Sequence, residues 1–113
     1  MAYAFGDIYY VSFDPSIGHE YQGKRPGMVI HEEAASKMSS LVTVVPLTSQ
    51  LDQLQPSDIL IQMDTLNRLD ADSVIKVRNI QSFDKQRFYF KIGRAGSPTI
   101  RSVRGHLRRH FGL

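Results

Sequence analysis

Gly6-Asp7-Ile8-Tyr9-Tyr10-Val11-Ser12-Phe13-Asp14-Pro15 opens a stretch that passes through Gly18-His19-Glu20 and Gly23-Lys24-Arg25-Pro26 and closes on Val44-Val45-Pro46-Leu47-Thr48-Ser49. Ile8 to Phe13 is aromatic and β-branched, bounded by Gly6 and by Asp14-Pro15, and so predicts a strand that ends in a turn. Residues 14–25 carry Pro15, Gly18 and Gly23 among polar neighbours, the composition of a long loop between strands. Met28 to His31 predicts a second strand, with Pro26 near its start because proline cannot donate to a ladder. Leu41 to Leu47 is nearly continuous in apolar residues at strand length, which predicts burial on both faces of a sheet.

The same reading extends outward. Glu32 to Ser40 is polar and predicts a loop with one helical turn. Ile59 to Met63 predicts a fourth strand, Leu66 to Asp72 a turn region, and Ser73 to Ser82 a strand followed by a bend, whereas Arg87 to Ile92 fits a short strand or a helical turn equally. The last element reads as a helix, with Ser97 as N-cap, Pro98 in the first turn and Gly112 just past the end. Ile100, Val103, Leu107 and Phe111 fall on one stripe at helical spacing, bordered by Arg101, Arg104 and Arg108. Many short strands and one terminal helix predict a mostly β, α+β fold: a twisted antiparallel sheet curled into a small barrel with helices on its margin.

At 113 residues the chain fits one domain spanning residues 1–113, since roughly 100 to 150 residues usually form a single core. Hydrophobic residues make up 42%, enough to bury that core unaided. The absence of cysteine removes disulfides, thiolate metal sites and a cysteine nucleophile. No basic-then-apolar leader precedes Gly6, and no apolar run nears the roughly 20 residues of a membrane helix, so the expected compartment is the cytoplasm, with no membrane contact. The net charge of +3 conceals a division: residues 1–72 hold ten acidic and four basic side chains, residues 73–113 one acidic and ten basic. A basic segment of that density attracts phosphate backbones or an acidic protein segment.

These blocks, in order, resemble the MazF/PemK family of toxin endoribonucleases, in which a Gly-Asp strand ending in Asp-Pro leads into a Gly-x-Glu-x-x-Gly-x-Arg-Pro loop and a Pro-Leu-Thr strand end completes the site. A fourth block, Asp72-Ser73-Val74-Ile75, Ile80 and Asp84-Lys85-Gln86-Arg87, is similar to the family's next stretch. The resemblance covers about residues 6–90. It implies an SH3-like barrel with short helices and a C-terminal helix, a homodimer, and a cytoplasmic toxin of a type II toxin–antitoxin system that cuts single-stranded RNA in a sequence-specific, metal-independent way to leave 2′,3′-cyclic phosphate and 5′-hydroxyl ends. Its implied partners are single-stranded RNA and a cognate antitoxin with an acidic segment; it implies no cofactor.

The residues fit that chemistry. Arg25 offers a planar fork of donors matched to phosphate oxygens, and Thr48 can donate one hydrogen bond to developing phosphorane charge. Residue by residue they match the family's catalytic arginine and threonine, and Glu20 its loop glutamate, which either takes the 2′-proton as base or orders Arg25. Further RNA contacts are expected at His19, Tyr21, Lys24, Ser49, Arg78, Asn79, Lys85 and Arg87, with Arg78, Lys85 and Arg87 lining a groove. Tyr9, Tyr10, Tyr21 and Phe83 are candidates for stacking unpaired bases. His31 reads as a polar strand cap. His106 and His110 share a helix face without a third ligand, so no metal site is expected. Tyr21 stands where the family often has glutamine, and Arg78-Asn79 where many members carry an acidic residue followed by glutamine, which bears on the base sequence read. Two rival functions remain open: a same-fold, non-enzymatic poison of DNA gyrase, and a non-catalytic barrel that binds RNA or protein.

Overall fold

A computed structural model describes residues 2–113. The elements follow in the order β1 (Asp7–Ser12), β2 (Lys24–Val29), α1 (Glu33–Met38), β3 (Leu41–Thr48), β4 (Ile59–Ile61), β5 (Ser73–Ile75), β6 (Gln81–Asp84), a 3₁₀ turn (Lys85–Arg87), β7 (Phe88–Arg94) and α2 (Ser97–Phe111). The strands form one antiparallel seven-stranded sheet in the order β4-β5-β3-β2-β1-β7, with β6 also paired to β3. The α+β class is as the sequence predicts. The barrel is not closed: β4 and β7 end the path and do not pair with each other.

Alternation along the strands splits the interior in two. Ile8, Met28, Val45 and Leu47 point to one side with Ile59, Ile75, Val77 and Val103, and Ile100 and Leu107 of α2 pack there. Tyr9, Val11, Phe13, Val29, Val42 and Val44 point to the other with Tyr3. The apolar run of β3 therefore has a simple cause, since both of its faces are covered. On β1, Ile8 feeds the first core and Tyr9 and Val11 the second, so a slip of one residue would displace both.

Several predicted boundaries shift. The second strand begins at Lys24 and ends at Val29, leaving His31 in a bend, because pairing with β1 from Ser12↔Lys24 onward recruits residues whose side chains are polar. The predicted strand Ser73–Ser82 divides into β5 and β6, which pair with different parts of β3. α2 is capped at Gly96 with no side-chain hydrogen bond, so Ser97 is inside the helix and not its cap. Its other end stops as expected: Gly112, in the left-handed region, donates to Arg108 and Arg109 carbonyls. Phe111, the last residue of α2, is 57% exposed and so leaves the apolar stripe one residue short of the expected length. No helix among the described residues is long and apolar enough to cross a membrane.

Candidate active site

Between β2 and β3 the ladder runs Val29↔Val44, Met28↔Val45, Gly27↔Pro46 and stops. The next rung would need an N–H from Pro26, which has none. Beyond this point β2 continues beside β1, with Pro26 opposite Tyr10 and Arg25 opposite Val11, while β3 turns to β5, with Leu47 opposite Ile75 and Thr48 opposite Val74. The strands fork. Carrying the β2–β3 register two residues past the last rung brings Arg25 opposite Thr48, one on each arm. A cleft of about 1140 Å³ opens there, lined among others by Glu20, Arg25, Thr48, Arg68, Phe90 and Lys91.

Each arm presents its group differently. The Arg25 guanidinium lies over the Tyr21 ring at 4.9 Å and donates Nε–H to the Gln22 carbonyl at 3.0 Å. Among the described residues no hydrogen bond or ion pair uses its two terminal nitrogens, so the outer edge of the fork faces the cleft. The Thr48 hydroxyl oxygen accepts the Gln50 N–H at 3.2 Å, which leaves its own proton to donate. Glu20 makes no ion pair with Arg25. One of its carboxylate oxygens accepts the Ile17 N–H at 2.8 Å, a contact within its own exposed turn.

The loop that carries Glu20 is tied at its base, where Phe13 N–H donates to the Gly23 carbonyl at 2.9 Å and the Asp14 carboxylate accepts Gly23 N–H at 3.0 Å. Arg87 adds a hydrogen bond to the Asp14 carbonyl. Behind Tyr21, Lys76 pairs with Asp58 at 2.6 Å. Burial alone would lower the Lys76 pKa, but Asp58 and the Tyr21 phenol beside its ammonium outweigh that and raise it.

His19, Tyr21, Lys24 and Ser49 line the same cleft as Arg25, Thr48 and Glu20. Arg78, Asn79, Lys85 and Arg87 do not line it. Lys85 donates to the Ser36 carbonyl at 2.7 Å, locking the 3₁₀ turn to α1, and Arg87 is spent on Asp14 and the Phe83 ring. Asn79 N–H caps the Lys76 carbonyl. Arg78 sits in a separate, smaller cleft with His106, Arg109 and His110. No group of three or more potential metal-ligating side chains occurs among the described residues.

Of the aromatic candidates, Tyr9 is buried, Phe83 packs edge-on against Phe13, and Tyr21 supports Arg25. Tyr10 lines the cleft beside the exposed Phe90, the two rings stacked at 5.4 Å and 22°. Phe90, Lys91 and Arg68 escape a reading of the sequence because none belongs to a motif. Only the fold brings β7 and the β4–β5 connection to the fork.

The class so defined is a small α+β domain with a cationic cleft, built around one arginine and one hydroxyl, that suits a polyanion. A family model described as PemK-like, MazF-like toxin of type II toxin–antitoxin system matches residues 4–111, and the chain belongs to that family. Endoribonuclease MazF9 of Mycobacterium tuberculosis is 27% identical over 113 residues, covering 96% of this chain and 95% of the relative. Among solved structures, MazF from Deinococcus radiodurans superposes with a TM-score of 0.86 at 24% identity, covering 100% of this chain and 99% of that one. A mycobacterial endoribonuclease in complex with its cognate antitoxin gives 0.80 at 17% identity, covering 99% and 97%.

Proposed function

We propose that this toxin is a metal-independent endoribonuclease acting on single-stranded RNA. The observation that carries the reading is the fork, which sets an unpaired guanidinium edge across from a free hydroxyl proton in an open cleft. The ribose 2′-oxygen attacks the adjacent phosphorus and forms an O2′–P bond. Arg25 takes the non-bridging oxygens on its fork and Thr48 donates to the developing charge. Glu20, held outside any ion pair with Arg25, accepts the 2′-proton. The P–O5′ bond breaks and the leaving oxygen is protonated from water in the open cleft, giving a 2′,3′-cyclic phosphate and a 5′-hydroxyl. His19, Tyr21, Lys24 and Ser49 position the strand.

The charge division and relatives solved with antitoxins support an inhibitory antitoxin whose acidic segment competes with RNA for the basic surface; the toxin acts as a homodimer in the cytoplasm. The test is incubation of the purified protein with a long RNA, with and without EDTA, and with the same RNA made with 2′-hydrogen at mapped cut sites. Cleavage in EDTA that stops at deoxy sites is expected. Activity lost to chelation and restored by a divalent ion overturns internal attack, and gyrase inhibition without RNA cleavage moves the protein to the rival function.

A further inference from the structure

Arg68 is the single non-glycine residue with positive φ among the described residues, at 56°. Its Cβ makes this left-handed conformation unfavourable, and arginine lacks the short polar side chain with which asparagine or aspartate compensates locally. The surrounding loop imposes the conformation. The Asp64 carboxylate accepts the N–H groups of Leu66 at 2.9 Å and Asn67 at 2.7 Å. The buried Asn67 side chain in turn accepts from Asp64 and Leu69 and donates to the Gln62 carbonyl. Arg94 N–H holds the Leu66 carbonyl at 3.1 Å, and Gly93 lets the loop backbone lie so close that an added Cβ would stand 2.3 Å from the Asn67 carbonyl oxygen.

Arg68 is thus an exposed residue between the buried Asn67 and Leu69, on a loop with little freedom. Glycine would suit the backbone better. The side chain returns nothing to the fold, because among the described residues no hydrogen bond, ion pair or ring holds its guanidinium. It lines the cleft of Arg25 and Thr48, where Lys24, Arg25 and Arg68 outnumber the carboxylates Glu20 and Asp70, while Lys91 pairs with Asp7 at 3.4 Å.

We infer that Arg68 is a second phosphate-binding residue, gripping the RNA backbone at a nucleotide other than the scissile one. The inference rests on the nuclease reading. Arg68 positions substrate and takes no part in bond breaking, so its loss weakens binding and leaves the chemical step intact.

Arg68→Gly tests this without confusion from misfolding, since the change relieves the backbone conformation, and the variant is expected to melt no lower than the unaltered protein. On a long single-stranded transcript its KM should rise about three- to tenfold with kcat nearly unchanged. The slope of log(kcat/KM) against log salt should flatten by about 0.7, the loss of one single-strand phosphate contact. Arg68→Lys should recover most of the slope. KM and slope unchanged in Arg68→Gly, while the unaltered protein cleaves RNA, overturn the inference alone. The same result with weakened binding of a synthetic acidic peptide assigns Arg68 to a protein interface and also overturns it. If the unaltered protein neither binds nor cleaves RNA, the nuclease reading fails and the inference falls with it.

Discussion

Arg25 is prepared before substrate arrives. Tyr21 supports the face of its guanidinium and Gln22 takes the inner N–H, so the residue cannot fold away onto the surface and presents two parallel donors. Arg25→Ala should lose about 100- to 1,000-fold in cleavage rate with an unchanged melting temperature, as should Thr48→Ala. Arg25→Lys should fare little better, because an ammonium is a point charge and neither forks nor stacks as a plane. Single-turnover cleavage and thermal melts of each variant check this, and full activity in folded Arg25→Ala would remove it from the proposed mechanism. Arg25, Thr48 and Glu20 were legible as a set because each is a chemistry-bearing type in a motif at a strand end. Lys85 and Arg87 share the same charge yet serve α1 and the loop base. Charge in a sequence says nothing of which way the chain turns it.

At the scale of elements, the connection between β4 and β5, residues 62–72, shows how much organisation composition conceals. Leu66 to Asp72 reads as a turn and is one, but its shape depends on two side chains, Asp64 and Asn67, and on the absence of a third at Gly93. Gly93→Ala forces carbonyl and methyl together where backbone cannot yield, and should cost about 1–3 kcal/mol, or roughly 4 °C in melting temperature per kcal/mol. A thermal melt reads it, and an unchanged midpoint would mean that the loop relaxes freely. Strands β1 and β3 were legible because each combines length with apolar residues on both faces. β5 and β6 were not, since strands of three and four residues carry too little pattern to show where one ends. Ser97 was misplaced as a cap because the backbone enters the helix one residue earlier, at Gly96.

For the molecule as a whole, the second core sets a limit on alkaline tolerance. Tyr9 is buried among Tyr3, Phe88 and Val11. Burial first, then the Asp7 carboxylate and Tyr3, push its pKa from 10.0 up to about 12, and burial pushes Tyr3 upward as well. In the unfolded chain these phenols ionise at their ordinary value, so above it the folded form holds more protons. Stability is therefore fully present below pH 10 and declines as pH rises toward 12. Melting curves from neutral pH up through 12 should show this decline, and Tyr9→Phe should shed part of it; a Tyr9→Phe curve parallel to the original would exclude the linkage.

Pro26 at the fork acts as a stop on a zip. How wide the cleft stands is decided by the rung that Pro26 cannot make, and not by the loop that carries Glu20, so swings of that loop alter access while the gauge between the two arms stays fixed. Pro26→Ala restores an amide where the strands part. If the zip then closes by one rung, the arms draw together and turnover falls even though every reacting side chain is still in place.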